Sequence, residues 1–310
     1  MTTISAQSVL ASKHAITGDR IDTLLLRYPR CIHSEFMTHR MFSRNAASSR
    51  AIPVEKLIQD VLDDPFVPLH WGKNQKGMQA NEECNEEVRV DDRPGYEPLP
   101  RQLAWLLARD QAVEVARAFA EAGYHKQIVN RLLEPWMHIT VVCTSTNWSN
   151  FLALRDHPDA EPHIQMLARE VRKALEGAEV RLLAPGEWHL PFVIDEDRGR
   201  AWKHTYQSGV PPEGRKSEEV RQSLIKLSVA RCASTSYRTV DGFDMTLERA
   251  IELHDKLLNS NPMHASPFEH QVQADEVLGD EGWGCYVHPE QHGNFTGFRQ
   301  YRKMLPGECR

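Results

Sequence analysis

Apolar positions fall into short runs and helical stripes along this chain, separated by polar stretches. Ile21 to Tyr28 (I-D-T-L-L-L-R-Y), closed by Pro29, predicts a strand. Ile32 to Arg40 reads as a helix that delivers His39 and Arg40 at its C-terminal end, followed by a loop to Arg50. Pro53 opens a short helix in which Val54, Leu57, Ile58, Val61 and Leu62 recur at i, i+3 and i+4. A long helix is expected over roughly 101–122, with Leu106, Val113, Ala116 and Ala120 on one stripe. A further helical stretch should reach Leu133 and stop before Pro135. His138 to Cys143 (H-I-T-V-V-C) reads as a buried strand. His163 to Glu176 is amphipathic: Ile164, Leu167, Ala168, Val171, Ala174 and Leu175 face inward, and Gly177 ends it. Thr246 to Leu258 repeats the pattern with Leu247, Ala250, Ile251, Leu257 and Leu258. His254 shares that stripe and reads as a core or interface histidine with its hydrogen bonds met, rather than a ligand.

Residues 65–100 break the pattern. They are polar and rich in Pro, Gly, Asn and Glu, as expected of a surface insertion or of a lid carrying Trp71 to Gln75. The chain has 310 residues, 41% hydrophobic and 26% charged, enough for one large domain or two smaller ones. A net charge of −6 argues against a nucleic acid polymer as partner, because such binding rests on many phosphate contacts. A small anion needs only a local arginine cluster. No apolar run approaches a membrane span and no signal-peptide core is seen, so a cytoplasmic setting without membrane attachment is expected. Six cysteines lie scattered without a C-x-x-C pair, which fits a reducing compartment and gives no support for a zinc ribbon. Cys31 is expected to be buried as a small apolar residue rather than to serve as a nucleophile.

The run His39 to Arg50, H-R-M-F-S-R-N-A-A-S-S-R, gathers hydroxyls, guanidiniums, an imidazole and an amide. Arginine forks match phosphate and carbonyl groups, and Ser43, Ser48 and Ser49 add hydroxyl donors. The run resembles the signature of the flavin-dependent thymidylate synthases: R-H-R, seven residues, then S. Thr38 stands where the first Arg would be. Three more segments are similar to pieces of that family. They are Asn150 to Arg155 (N-F-L-A-L-R), Arg231 to Tyr237 (R-C-A-S-T-S-Y), and Ser266 to His270 (S-P-F-E-H) preceded by His264. The family order puts the last two first, so the likeness implies a circular permutation, which chains tolerate when the old termini lie close together. Residues 178–220 would then be the joining region.

The resemblance implies an α+β fold over residues 1–310, a mixed β-sheet flanked by helices, as a single domain of permuted segment order. It implies methylation of dUMP at C5 to dTMP, with FAD as cofactor and methylenetetrahydrofolate and NADPH as co-substrates. The flavin would be hydride carrier and methylene relay. It implies a homotetramer with shared active sites. By position, His39 and Arg40 would contact the flavin, and Asn150, Ser236, Ser266 and Glu269 would line it, with His264 toward the folate. Ser48, Ser49 and Arg50 would bind the nucleotide's phosphate and sugar, and Arg131, in R-L-L-E-P, is a further phosphate candidate. Arg155 would stabilise charge developing on the pyrimidine, and Ser48 is expected beside it among the catalytic residues.

Ala46 and Thr146 depart from the family's acidic residue and arginine, and Arg299 or Arg302 is expected to offset the lost arginines. Glu35 stands where the family commonly has Gln. Its carboxylate either faces an amino-bearing base such as cytosine or pairs with an arginine, Arg50 or Arg131, to shape the phosphate site. Three rivals stay open. One is methylation or hydroxymethylation of another pyrimidine nucleotide such as dCMP, and one is a non-catalytic nucleotide- or flavin-binding protein. The third is a metal hydrolase built on His288 and His292, for which a surface turn is the better reading because Pro289 interrupts the pair.

Overall fold

The computed structural model describes residues 3–77, 80–205, 215–235, 245–278 and 285–308, the first three of the 215–235 stretch by backbone alone. Strands β1 (Ser5–His14) and β2 (Arg20–Pro29) form an antiparallel hairpin. β3 (Ser43–Ala46) is an edge strand on β4 (His138–Ser145), and β4 pairs with β2, both antiparallel. β5 (Val180–Leu183) lies parallel to β1 at the other edge, which makes a mixed sheet of order β3-β4-β2-β1-β5. A second, antiparallel sheet holds β6 (Trp188–His189), β7 (Val272–Ala274) and β8 (Phe298–Gln300). The helices are α1 (His33–Phe36), α2 (Val54–Asp63), α3 (Arg101–Glu121), α4 (Lys126–Val129), α5 (Ser149–Arg155), α6 (Pro162–Glu176), α7 (Asp195–Thr205), α8 (Arg215–Ala233), α9 (Leu247–Leu258) and α10 (Tyr301–Met304). The α+β architecture with a mixed sheet is therefore present.

Strand period two divides the large sheet into two faces. Leu24, Leu26 and Tyr28 of β2 alternate onto one face with Ile139, Val141 and Cys143 of β4. They meet Ile164, Leu167, Ala168 and Val171 from α6 in one core. Burying each of the Leu, Ile and Val side chains among them stabilises the fold by about 1.5–3 kcal/mol. Glu161 starts α6 by accepting from the backbone N–H of His163 (2.9 Å) and Ile164 (3.0 Å), and Pro162 follows at the first helical position. The opposite face is polar at its centre. Thr23 and Thr144 share a hydrogen bond (2.7 Å), Thr23 bonds His189 (2.9 Å), His189 bonds Ser12 (2.8 Å), and Thr144 bonds His270 (2.8 Å). This buried seam joins the two sheets. Beyond it, α8 and α9 pack Ile225, Val229, Ala250 and Phe268 into a second core. A third core joins α2, α3 and the 3-10 turn Asn130–Trp136 through Ile58, Val113, Ala116 and Leu133.

Several sequence expectations need correction. The helix expected over 32–40 is only α1, preceded by a 3-10 turn at Arg30–Ile32, so His39 and Arg40 sit in the turn that follows. The loop expected after them contains β3, whose Ser43 and Asn45 bury against neighbouring segments. The turn at Asn130–Trp136 runs through Pro135 instead of stopping before it; the looser 3-10 bonding tolerates a residue without an N–H there. Cys31 is exposed, because the 3-10 turn directs Ile32 inward in its place. β1 and β5 carry too few alternating apolar residues to announce themselves as strands, yet both pair in the main sheet. Residues 65–100 hold isolated bridges, Gly72 with Glu83 and Val88 with Leu99, and Trp71 packs edge-on against Trp105 of α3 at 6.1 Å. His254 is buried and bonded to Asp255 (2.8 Å) and Tyr301 (3.3 Å), as a core histidine should be.

Candidate functional site

β3 leads the signature directly into a cavity. Ala47 N–H donates to Thr140 O (2.8 Å), which carries the ladder one step past the strand. The chain then turns, with Ala51 N–H donating to Ser48 O (2.9 Å). The amide of Asn130 donates to Ser49 O (2.7 Å) and Ile52 O (3.0 Å), and Lys126 donates to Ala51 O (2.9 Å). Helix α4 and the 3-10 turn after it thus clamp residues 48–52 from behind. The cavity in front measures about 490 Å³, and Ser48, Ser49, Arg50 and Arg131 all line it. Arg27 and Arg30 line it too, with Asp60, Asp64 and Glu134. Arg27 is paired with Asp64 (2.6 Å), and Arg131 faces Glu134 at 3.8 Å. Burial raises the Asp60 carboxyl above its usual range, against the pull of Lys56 and Arg27. His138 closes the wall. Its Nδ1 lies 3.8 Å from Asp64 Oδ2, and burial, with Arg27 nearby, pushes the imidazole down to about 4 against the pull of Asp64.

A second group forms where α1 and α5 meet. Arg155 pairs with Glu35, and its Nε–H donates to His39 Nε2 (3.0 Å). The acceptor role of Nε2 requires the neutral tautomer with its proton on Nδ1. Burial lowers the His39 pKa, and the guanidiniums of Arg155 and Arg44 lower it further, while a hydrogen bond with Asn150 works the other way. Phe42 and Phe151 flank the ring at 5.9 and 5.0 Å. Glu35 therefore pairs with Arg155, not with Arg50 or Arg131 as expected. Phe36 of α1 packs edge-on against Phe151 of α5 at 5.8 Å, which sets Glu35 against Arg155. None of Glu35, His39, Asn150 and Arg155 lines the cavity that holds Ser48 and Arg50.

The C-terminal segments close on β3. Ser266 donates to Asn45 Oδ1 (3.0 Å), and Asn45 donates to Cys232 O (2.7 Å), so the R-C-A-S and S-P-F-E-H segments both touch the signature strand. Gln300 donates to Ser43 (3.2 Å) and to Glu269 O (3.3 Å). Glu269 itself is neutralised by Arg302. Arg299 is spent on Gln291 (2.8 Å) and Gln273 (2.9 Å), so neither tail arginine stands free to replace the lost ones. His264 and Arg40 are exposed, and Ser236 lies outside the described residues. His288 and His292 flank the 3-10 turn Pro289–Gln291, and each bonds one oxygen of buried Asp275 at 2.9 Å. Among the described residues, no group of three or more His, Cys, Asp or Glu is placed to hold a metal ion. Sequence reading missed Asn45, Gln300 and Asn294, whose Oδ1 accepts from Ser43 and Gln300 (both 3.2 Å), at this junction, and Arg27, Arg30 and His138 at the cavity. For Arg27 the available signal was strand alternation, which turns it away from the core face occupied by Leu26 and Tyr28.

Fold and site define an α+β protein with an arginine- and serine-lined cavity and, outside that cavity, an imidazole–guanidinium–carboxylate cluster. No family model and no curated protein matches the chain. Among solved structures it is similar to a UMP/dUMP methylase PolB from Streptomyces cacaoi bound with 5-Br UMP. That match has 19% identity, covers 56% of this chain and 89% of that one, and has a TM-score of 0.38. It is also similar to flavin-dependent thymidylate synthase ThyX from Helicobacter pylori complexed with FAD and dUMP, at 19% identity, 50% and 67% coverage and a TM-score of 0.33. Likeness at this level assigns this chain neither a family nor an activity.

Proposed function

We propose that this protein is a flavin-dependent pyrimidine nucleotide methylase that converts dUMP to dTMP, with methylenetetrahydrofolate as carbon donor and NADPH as reductant. The observation that carries the reading is the gathering of Ser48, Ser49, Arg50 and Arg131 around one cavity, because the signature assigns the first three to the nucleotide's phosphate and sugar and the R-L-L-E-P segment makes Arg131 a further phosphate candidate. Hydroxyls and guanidinium forks suit a phosphate ester. Outside the cavity, Arg40 is exposed, has no ion pair among the described residues and offers a guanidinium to a flavin's pyrophosphate, while His39, which accepts from Arg155 and bonds Asn150, orients the Arg155 guanidinium. A bound flavin would supply hydride transfer. The chain's part is to hold the nucleotide, and Arg155 is the candidate to stabilise negative charge on the pyrimidine. The phosphate group and the base-edge group form two separate sets in one chain, which supports a homotetramer whose sites combine residues of neighbouring subunits. The segment order reads as a circular permutation in which Ser266 still meets the signature through Asn45.

Purified protein should show flavin bands near roughly 375 and 450 nm, the cofactor's own absorption, or acquire them on adding FAD. It should then bind dUMP. Failure to bind FAD at high micromolar concentration would leave a nucleotide-binding protein without this chemistry. A second reading, action on dCMP or release of a hydroxymethyl product, would need the Glu35 carboxylate to leave Arg155, with which it is paired, and accept from the base.

A further inference from the structure

The cavity contains two guanidiniums without a counter-ion. Arg27 and Arg131 face Asp64 and Glu134. Among the described residues, the side chains of Arg30 and Arg50 make no ion pair or hydrogen bond, and both line this cavity. Arg50 belongs to the signature and Arg30 does not. Arg30 opens the 3-10 turn between β2 and α1, and its backbone N–H donates to Met137 O (2.8 Å). That bond, with Pro29 before it, fixes the root of the side chain at the cavity rim.

We propose that Arg30 is a second phosphate ligand, and that Arg30 and Arg50 together grip the phosphate of a nucleoside monophosphate. The proposal rests on the reading of this cavity as the nucleotide site. A phosphate monoester carries close to two negative charges at neutral pH, by analogy with phosphorylated side chains. Two uncompensated guanidiniums match one such group. A nucleoside di- or triphosphate brings more charge than the pair balances, into a cavity whose wall also carries Asp60, Asp64 and Glu134. Like charges repel and oppose the longer ligands. Arginine also fixes the geometry, because its planar fork can hold two phosphate oxygens at once where lysine offers a point charge.

The test is calorimetric titration of the full-length protein and its Arg30→Gln, Arg30→Lys and Arg50→Gln variants. The probes are dUMP, dUTP, deoxyuridine and inorganic phosphate. Arg30→Gln should weaken dUMP by about 10- to 100-fold, the scale of one hydrogen bond to a charged group. Arg30→Lys should recover part of that loss. Deoxyuridine, which lacks the phosphate, should bind all forms alike, and wild type should prefer dUMP to dUTP. If Arg50→Gln weakens dUMP while Arg30→Gln leaves it unchanged, Arg30 is not a ligand and the nucleotide reading survives. Equal weakening of dUMP and deoxyuridine by Arg30→Gln would assign the effect to cavity shape and overturn the proposal. A wild-type preference for dUTP would overturn the choice of a monophosphate. Wild type binding neither dUMP nor inorganic phosphate would remove the nucleotide reading and this proposal with it.

Discussion

Glu35 is where one side chain changes the most. Its carboxylate holds Arg155, whose Nε–H is already given to His39 (3.0 Å), so the guanidinium is fixed from two sides. An acid that is paired this way has its acceptor capacity committed and is poorly placed to read the amino group of cytosine. Wild type should therefore prefer dUMP over dCMP. Glu35→Gln should weaken the hold on Arg155 by an amount of the order of 1.5–3 kcal/mol, the range for a charged hydrogen bond. Turnover of both nucleotides should then fall together, with their ratio unchanged. Competition between dUMP and dCMP for wild type and mutant decides it, and a ratio that moves toward dUMP in the mutant would promote the cytosine reading. The acid's need for an arginine was legible in the sequence. The partner's identity was not, since Glu35 and Arg155 are remote along the chain and meet only because α1 and α5 pack on the same core.

Elements are locked to one another by buried polar pairs as well as by apolar packing. Arg231 of α8 donates to Asp197 of α7 (Nη2 to Oδ1, 2.9 Å) and to Phe192 O (2.5 Å), and Arg231 and Asp197 are both almost wholly out of water. Arg231 lies in the R-C-A-S-T-S-Y segment, yet here it ties two helices together. Asp197→Ala should leave a guanidinium buried without its acid and cost about 3–5 kcal/mol. Replacing both partners, Asp197→Leu with Arg231→Met, should cost much less, because no buried charge remains. Urea unfolding of the two variants separates these outcomes. A single-mutant cost below about 1 kcal/mol would show that water reaches the pair, since exposed pairs fall in that range. Helices α2, α3, α6 and α9 were readable because their apolar stripes repeat over two or more turns. β3, β5 and β6 were not, because two to four residues give period two no room to show itself.

Across the whole molecule, several imidazoles are kept neutral by burial. His189 and His270, in the seam between the sheets, are held down to about 3, and His33 and His138 to about 4. Each has its folded pKa below the ordinary value near 6.5, so the unfolded chain takes up protons first as the pH falls. Their stabilising contribution is complete above that value and is lost progressively as pH drops from about 6.5 toward 4 and then 3. Each proton refused by the folded state steepens the loss by about 1.4 kcal/mol per pH unit within its window. The urea midpoint should be flat from pH 8 to 7 and fall between pH 6 and 4. A midpoint that stays constant down to pH 4 would show that the seam accommodates charged imidazoles.

By itself, the sequence determined the long amphipathic helices, the central strands β2 and β4, and the hydroxyl and guanidinium groups gathered in the run His39 to Arg50, because each rests on neighbours within a few residues. Tertiary structure alone decided that Ser48, Ser49, Arg50 and Arg131 share a cavity with Arg27 and Arg30, that Arg155 is tied to Glu35, and that Ser266 meets Asn45. Those meetings join positions as far as 221 residues apart. Sequence pattern records which face of an element is apolar. Which elements' polar groups meet is set by the stacking of whole sheets and helices, and no local spacing encodes it.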